Sequence, residues 1–383
     1  MTVQRTEVPG ATSASVSPPA ISDAARATID TPALVVDIDR VDAAIARMAT
    51  AMRERRVALR PHAKTHKSIE VGRRQLAAGA AGLTVGTIGE AEVFVDGGLD
   101  DLFIAYPMVP LGPKAARLRA IARRAHLRLG IDSVVGAHAV ADALGDDRDR
   151  VAVLVEIDCG GRRSGVDPAD AGPVAAAATH LGLRVIGVFT HGGHGYHGRD
   201  ARAGAAADEV RGLTVAAESL RAAGVEPTVV SAGSTPTALD SARGAVNEER
   251  PGTYVFGDRQ QVALGSVAPD APAAVIAARV VSVNRSARRF VIDAGAKTLT
   301  KDAPAYLPGF AAIPELSAVV DRVSDYHGVC ETAEGGPLPD VGQVVLAVPN
   351  HICPVVDLFG TFLVARKGEI VDTWRVDARG RSG

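Results

Sequence analysis

Cysteine is scarce in this chain: only Cys159, Cys330 and Cys353 occur among its 383 residues. An odd and sparse set of cysteines does not make a disulfide framework, and it suits a reducing compartment. We therefore expect a cytoplasmic protein.

An excess of charge of one sign is also lacking. The 42 Lys and Arg residues nearly balance the 44 Asp and Glu residues, which gives a formal net charge of -2. This balance provides no basic face for nucleic acid and no polybasic membrane anchor. In addition, no apolar run reaches the roughly 18 to 20 residues needed to span a bilayer. We expect neither nucleic acid nor a membrane as a partner.

The first 27 residues are rich in Ala, Ser, Pro and Thr. They lack the continuous apolar core of a signal peptide, so residues 1–27 are predicted to be a disordered tail.

Short β-rich runs alternate with longer helical segments from residue 30 to about residue 260. The predicted strands are 33–38, 57–63, 82–88, 102–108, 127–132, 151–158, 183–192, 227–233 and 252–258. Alternation of this kind predicts a parallel sheet, and eight strand–helix units after the first run suit a closed (β/α)8 barrel over residues 28–265. A doubly wound open sheet is the alternative, but no Gly-x-Gly-x-x-Gly motif follows an early strand.

The pattern changes after residue 272. Strand-like runs at 273–284, 288–295, 342–366 and 369–376 are separated by turn residues and show little helical periodicity. They predict a C-terminal all-β domain over residues 266–383. The first strand, near 33–38, is a candidate to pack with that domain.

The stretch "RPHAKTHKS" places His62, Lys64 and His66 after the first barrel strand. Barrel enzymes carry their reacting groups at the C-terminal ends of the strands, so Lys64 is a candidate covalent catalyst. Short basic runs are usually exposed, however, and a solvated loop is the alternative interpretation.

The stretch "SAGSTPT" follows the seventh barrel strand and is rich in glycine and hydroxyl groups. Its backbone N–H groups and hydroxyls could hold a phosphate, and barrels often place a phosphate site after strands seven and eight. The same residues are also common in ordinary turns.

Two stretches could bind metal. In "HIC", His351 and Cys353 are two residues apart, and an extended segment would point both the same way. Imidazole with thiolate favours zinc, and two protein ligands leave the open positions of a catalytic site. A buried cysteine beside a surface histidine is the alternative. The run "THGGHGYH" (190–197) contains His191, His194 and His197, and it fits a metal tract or a flexible glycine-rich loop equally well.

Eight stretches, taken in order, resemble the D-threonine aldolase and D-serine dehydratase family of pyridoxal-phosphate (PLP) enzymes. They are "PALVVDIDRVDAAIARM", "RPHAKTHKS", "TVGTIGEAEVFVDGG", "EIDCGGRRSGV", "THGGHGY", "SAGSTPT", "RPGTYVFGD" and "VPNHICPVVDLF". The resemblance covers roughly residues 30 to 375. It implies an alanine-racemase-type barrel that carries PLP, followed by a β-domain.

The resemblance also implies roles for individual residues. Lys64 matches the lysine that bonds to PLP, and Arg163 matches an arginine that reaches the cofactor or substrate, although Arg162 leaves an ambiguity of one residue. His191 is a further candidate for cofactor binding. The predicted phosphate-binding set is Gly233, Ser234, Thr235 and Tyr254.

The implied activity is metal-assisted cleavage of a D-β-hydroxy amino acid. His351 and Cys353 match the family's metal ligands, and the His-x-Cys pattern resembles the dehydratase branch more than the aldolase branch. We therefore expect a D-serine dehydratase-like lyase with zinc or another divalent ion, assisted by His62 or His66. Retro-aldol cleavage of the D-threonine aldolase type and amino-acid racemisation are the alternatives. The resemblance also implies a homodimer.

Overall fold

The computed structural model describes residues 16–383. Its strands are β1 Ala33–Asp37, β2 Ala58–Leu59, β3 Leu83–Val85, β4 Asp101–Pro107, β5 His126–Ile131, β6 Ala152–Glu156, β7 Arg184–Phe189, β8 Val229–Ala232, β9 Glu248–Glu249, β10 Ala274–Asn284, β11 Arg289–Ile292, β12 Ala311–Ile313, β13 Ala318–Val323, β14 Gly328–Thr332, β15 Val344–Pro349, β16 Thr361–Arg366 and β17 Glu369–Arg375. Its α-helices are α1 Asp23–Thr28, α2 Ile38–Arg55, α3 Ile69–Ala77, α4 Ile88–Asp96, α5 Pro113–Ala122, α6 Val134–Leu144, α7 Ala171–His180, α8 Ala201–Ala222, α9 Ala238–Ser241, α10 Arg259–Ala263, α11 Ala296–Leu299 and α12 Ile352–Val356.

The first compact unit contains Asp42–Tyr254 and Val376–Gly383. Its eight strands pair in parallel in the order β2-β9-β8-β7-β6-β5-β4-β3. A parallel bridge between His62 and Thr84 joins the two ends of this order, because His62 follows β2 and Thr84 lies in β3. The predicted β/α barrel is confirmed.

The barrel unit has a large apolar layer between strands and helices, but its interior is partly charged. Phe103, Leu154 and Phe189 form a small separate apolar cluster. Arg60 is fully buried, and its Nε donates to Glu248 Oε2 at 3.0 Å. Buried charges need such partners, because an unpaired ion loses its hydration without compensation.

The second compact unit contains the described residues up to Val41 together with Val255–Arg375. Its nine strands follow the order β11-β14-β13-β12-β15-β10-β1-β16-β17. Most neighbours are antiparallel, and the prediction of an all-β C-terminal domain is confirmed. β1 lies inside this sheet, antiparallel to β10 and parallel to β16.

The predicted disordered tail falls partly on residues 1–15, which lie outside the described residues. Residues 16–27 are described, and there the structure differs from the prediction of disorder, because Asp23–Thr28 forms α1. The Ser22 hydroxyl caps this helix by accepting from Ala25 N at 3.0 Å. Val16 and Ile21 are buried in the core of the β-sheet unit. Apolar residues spaced among the small polar ones supply enough burial to order this segment.

No α-helix within residues 16–383 combines the length and the apolar character that crossing a membrane requires.

Candidate active site

A short 3-10 turn, Ala63–Thr65, carries Lys64 just beyond β2. His62 begins this turn, and its Nδ1 accepts a hydrogen bond from the Lys64 backbone N–H at 3.3 Å. Both side chains line a cavity at the C-terminal ends of the barrel strands, where barrel enzymes place their chemistry. The cavity is lined by His62, Lys64, Ala105, Arg163, Phe189, His191, Tyr196, Gly233, Ser234, Thr235, Arg250, Gly252 and Thr253.

The charge of this cavity is positive. Lys64, Arg163 and Arg250 contribute cationic side chains, and no carboxylate lies among the described lining residues. An anionic ligand therefore fits the cavity.

Two neutral histidines face the cavity with complementary protonation. Burial and the nearby charge of Lys64 lower the pKa of His62 well below its usual value and lower the pKa of His191 to about 3. His191 Nδ1 lies 3.0 Å from the carbonyl oxygen of Gly233, which can only accept, so Nδ1 carries the proton and Nε2 is an acceptor. His62 Nδ1 accepts from a backbone N–H, so its Nε2 carries the proton and is a donor.

The turn after β8 presents backbone donors to the cavity. Ser234 and Thr235 are buried, and their backbone N–H groups donate no hydrogen bond to any other described residue. Thr235 Oγ1 accepts from the backbone N–H of Tyr254 at 3.1 Å. The Gly233 N–H instead donates to Glu209 Oε1 at 3.1 Å. The backbone donors that this turn leaves available for an anion are therefore those of Ser234 and Thr235 rather than that of Gly233.

The structure does not bring Tyr254 and His66 into the cavity lining. The Tyr254 hydroxyl is buried and accepts a hydrogen bond from Gln75 Nε2 at 3.0 Å. His66 also interacts with Gln75, and burial lowers the pKa of His66 to about 4. Of the two histidines predicted to assist catalysis, the cavity is lined by His62.

Arg163 lines the cavity, whereas its neighbour Arg162 does not. Arg162 has a positive φ of 51°, and its backbone N–H donates to Asp158 Oδ1 at 3.0 Å. The Arg163 side chain is more than half exposed, and its Nη2 lies 3.9 Å from Glu156 Oε1, which is a long ion pair.

Arg250 is a charged cavity residue that sequence reasoning missed. It is buried, and it donates to Ser231 Oγ and to the Thr190 carbonyl oxygen, each at 2.5 Å. Its guanidinium also lies 5.3 Å from the centre of the Phe189 ring. The stretch "RPGTYVFGD" contains this arginine, but only the closed sheet shows that its side chain turns inward.

The glycine-rich run after β7 contributes His191 and Tyr196 to the cavity. His194 Nε2 instead lies 3.3 Å from Asp208 Oδ2. Within residues 16–383 there is no group of three or more His, Cys, Asp or Glu side chains that could hold a metal, so the structure gives the metal-tract interpretation no support here.

His351 and Cys353 belong to the β-sheet unit. His351 precedes α12 and Cys353 lies in its first turn, so the expected extended geometry of the pair is wrong. The helix begins at Ile352, whose backbone N–H donates to Asp258 Oδ2 at 3.0 Å. The two side chains nevertheless interact. His351 Nδ1 lies 2.6 Å from Asp302 Oδ2. A carboxylate on one ring nitrogen orients the other towards a metal, as in many metal sites.

The charge at His351 is consistent with a cation site. Burial opposes the charged ring, but Cys353 and Asp302 raise the pKa of His351 to about 11. A bound divalent ion would replace that proton and would satisfy the same negative neighbours. Imidazole nitrogen and thiolate sulfur are a borderline-soft donor pair.

A lysine and neutral histidines in a cationic cavity of a β/α barrel, accompanied by a β-domain, define an alanine-racemase-type architecture. The family description "Alanine racemase, N-terminal domain" matches residues 36–260, and "Putative serine dehydratase domain" matches residues 273–365. The chain belongs to this family of fold type III PLP enzymes and is a PLP-dependent lyase.

Individual relatives are similar over nearly their whole length. The D-threo-3-hydroxyaspartate dehydratase of Delftia sp. strain HT23 is 36% identical over 370 residues, which cover 91% of this chain and 97% of the relative. Its solved structure has a TM-score of 0.85 and 34% identity, covering 92% and 98% of the two chains. The solved structure of a cysteine-to-alanine mutant of a D-threo-3-hydroxyaspartate dehydratase, in the metal-free form, has a TM-score of 0.84 and 34% identity and covers 92% and 98% of the two chains. The D-threonine aldolase of Arthrobacter sp. is 33% identical over 376 residues, covering 95% and 97%.

Proposed function

We propose that this protein, using PLP and a divalent ion, eliminates water from a D-β-hydroxy amino acid. Hydrolysis of the resulting enamine then takes up one water and yields a 2-keto acid and ammonia. The observation that carries the dehydratase proposal is the pair of Cys353 and His351, with the imidazole supported by Asp302. Similarity to a D-threo-3-hydroxyaspartate dehydratase supports the substrate class. D-serine and D-threo-3-hydroxyaspartate are the first substrates to test.

The residues around the cavity divide the work. PLP, when bound, withdraws electrons from the α-carbon of the substrate, and the divalent ion makes its β-hydroxyl a better leaving group. Lys64 supplies the amine that holds the cofactor and then accepts the α-proton at Nζ. Arg163 and Arg250 bind anionic groups. His62 donates a hydrogen bond from Nε2, and His191 accepts one at Nε2.

We propose that His351 and Cys353 bind zinc. Thiolate and imidazole favour zinc among the common divalent ions, and two protein ligands leave positions for water and substrate. Replacing Cys353 with Ala should reduce bound metal in proportion to lost activity. Cys330→Ala, at a buried cysteine in β14, should retain both the metal and the activity. Metal content is measured by elemental mass spectrometry. Full turnover by metal-free enzyme would contradict the proposal.

Retro-aldol cleavage is the second candidate, favoured by the 33% identity to a D-threonine aldolase. One assay separates the two reactions. D-serine, D-threonine and D-threo-3-hydroxyaspartate are each incubated with the PLP- and zinc-loaded enzyme, and keto acid, aldehyde and glycine are quantified. Keto acid with ammonia supports dehydration, whereas glycine with an aldehyde supports aldol cleavage. The absence of every product from all three compounds would contradict both.

We also propose a homodimer and a cytoplasmic location, on the family resemblance and on the sparse cysteines respectively. Light scattering of the purified protein tests the first, and a monomer at working concentration would contradict it.

A further inference from the structure

A buried glutamate joins two loops of the cavity. Glu209 lies in α8 and is fully buried. Its Oε1 accepts the N–H of Gly192 at 2.8 Å and the N–H of Gly233 at 3.1 Å. Gly192 follows β7 and Gly233 follows β8, so one carboxylate oxygen connects the segment of His191 to the turn of Ser234.

A second buried glutamate approaches the same turn. Glu249 lies in β9, and its Oε1 accepts the Ser241 hydroxyl at 2.7 Å. A Cβ atom added to Gly233 would lie only 2.7 Å from Glu249 Oε2 and 2.6 Å from Arg250 N. Glu209 and Glu249 therefore both meet Gly233, one through a hydrogen bond and the other by close packing.

Each of these carboxylates has one oxygen without a partner. Oε2 of Glu209 and Oε2 of Glu249 are buried and accept no hydrogen bond within residues 16–383. The Thr237 hydroxyl also interacts with Glu209 and lies 2.9 Å from Ser234 Oγ, and its single proton can be donated to only one of these two partners. A buried charged oxygen that lacks a partner is costly, and a proton on one carboxyl of the pair removes that cost.

The surrounding charges do not balance two ionised glutamates. Glu248 also faces Glu249, but it already binds Arg60 at 3.0 Å and Arg128 at 2.9 Å. The Cys159 thiol faces Glu209 and supplies no positive charge. Arg250 is the cation that faces both members of the pair.

The hydrogen bonds indicate which carboxyl keeps the proton. Two backbone N–H donors favour the ionised form of Glu209, whereas Glu249 accepts from a single hydroxyl. Burial, followed by the charge of Glu209, raises the pKa of Glu249 well above its usual value. We propose that Glu209 and Glu249 share one proton, carried by Glu249, and that this pair positions the Gly192 and Gly233 segments for cofactor binding.

The positioning role, unlike the shared proton, rests on the proposed function. A phosphate held by the N–H groups of Ser234 and Thr235 lies one residue beyond Gly233. Loss of the shared proton adds a second negative charge close to Gly233, in the same turn, and weakens binding of that anion. The affinity for PLP, and for inorganic phosphate as a probe, is expected to fall by up to about tenfold per pH unit above the ionisation of the pair.

Infrared spectroscopy of the cofactor-free protein tests the shared proton independently of any activity. At about pH 8 ordinary carboxyls are ionised, so a protonated carboxyl band indicates a strongly perturbed group. The wild type should show such a band, and Glu249→Gln should lose it. Glu156→Gln is the matched control, because burial also raises the pKa of Glu156. Absence of the band in the wild type, or its loss only in Glu156→Gln, would overturn the proposal.

Binding measurements test the positioning role. Phosphate and PLP affinities of wild type and Glu249→Gln are compared across the alkaline range by calorimetry. The variant should bind at least as tightly as the wild type and should lack the alkaline loss, because glutamine keeps the shape of the protonated carboxyl without its titration. The same alkaline loss in both proteins would overturn the role. Failure of the proposed function would instead appear as no PLP binding by either protein, with the infrared band retained.

Discussion

At the scale of single residues, the site depends on side chains whose charge state is set by burial. His62 and His191 stay neutral beside Lys64, and each has one ring nitrogen fixed by a backbone group. As a result, the Nε2 atom of His62 is a donor and the Nε2 atom of His191 is an acceptor at the cavity, and neither ring changes its protonation near neutral pH. The motif could reveal the histidines, but the tautomers follow only from the backbone atoms that meet them.

Arg250 provides a test at this scale. Replacing it with Met removes the cation that faces Glu209 and Glu249, and breaking a buried charge network of this kind costs about 3–5 kcal/mol of stability. We expect the free energy of unfolding in urea to fall by about that amount and PLP affinity to fall with it. Arg162→Met, at the exposed arginine outside the cavity, should leave both quantities unchanged. An equal effect of the two substitutions would contradict the assignment.

His66 gives a pH-dependent test. Burial lowers its pKa from 6.5 to about 4, so the unfolded chain takes up a proton in this range while the folded protein does not. The contribution of His66 is fully present above about pH 6.5 and falls by about 3 kcal/mol as the pH drops towards 4. In His66→Gln, the part of the decrease in unfolding free energy at acid pH that comes from His66 should disappear. His126→Gln, at an exposed histidine, should keep it, and an unchanged slope in His66→Gln would contradict the burial effect.

At the scale of elements, sequence periodicity predicts those helices and strands whose formation depends on local interactions. The spacing of Val41, Ala44, Ile45, Met48 and Met52 predicts one apolar helix face, and all five are buried in α2. In contrast, "HIC" gives no local sign that a helix starts at Ile352. That start depends on Asp258, which is distant in sequence and accepts the Ile352 N–H.

Two glycines of α8 form a matched pair for a test of this element. A Cβ on Gly204 would meet no atom within 4 Å, whereas a Cβ on Gly212 would lie 3.0 Å from Ile157 Cδ1. Gly204→Ala should therefore raise the free energy of unfolding by up to about 1 kcal/mol, because alanine loses less backbone entropy in a helix. Gly212→Ala should gain less or should destabilise. Thermal or urea unfolding measures both, and a larger gain at Gly212 would contradict the packing.

At the scale of the whole molecule, the barrel and the β-domain follow from sequence because their repeating patterns differ. The membership of β1 in the nine-stranded sheet depends on pairing with β10, about 240 residues later in the chain. Long-range packing also brings together Arg250, Glu209 and Glu249, since only the closed barrel places α8 and β9 at the same turn. Sequence motifs therefore indicate Lys64 and Ser234, whereas the buried charged residues around them are recognised only from the folded structure.

The proposed function requires that Lys64 of the barrel cavity bears the cofactor. Borohydride reduction of the PLP-loaded protein fixes the cofactor on the lysine that holds it, and peptide mass spectrometry then locates the added mass. We expect the modification on the peptide that contains Lys64, and in Lys64→Ala we expect both the modification and the cofactor absorbance to be lost. Modification of another lysine, such as Lys67, or unchanged absorbance in Lys64→Ala, would contradict it.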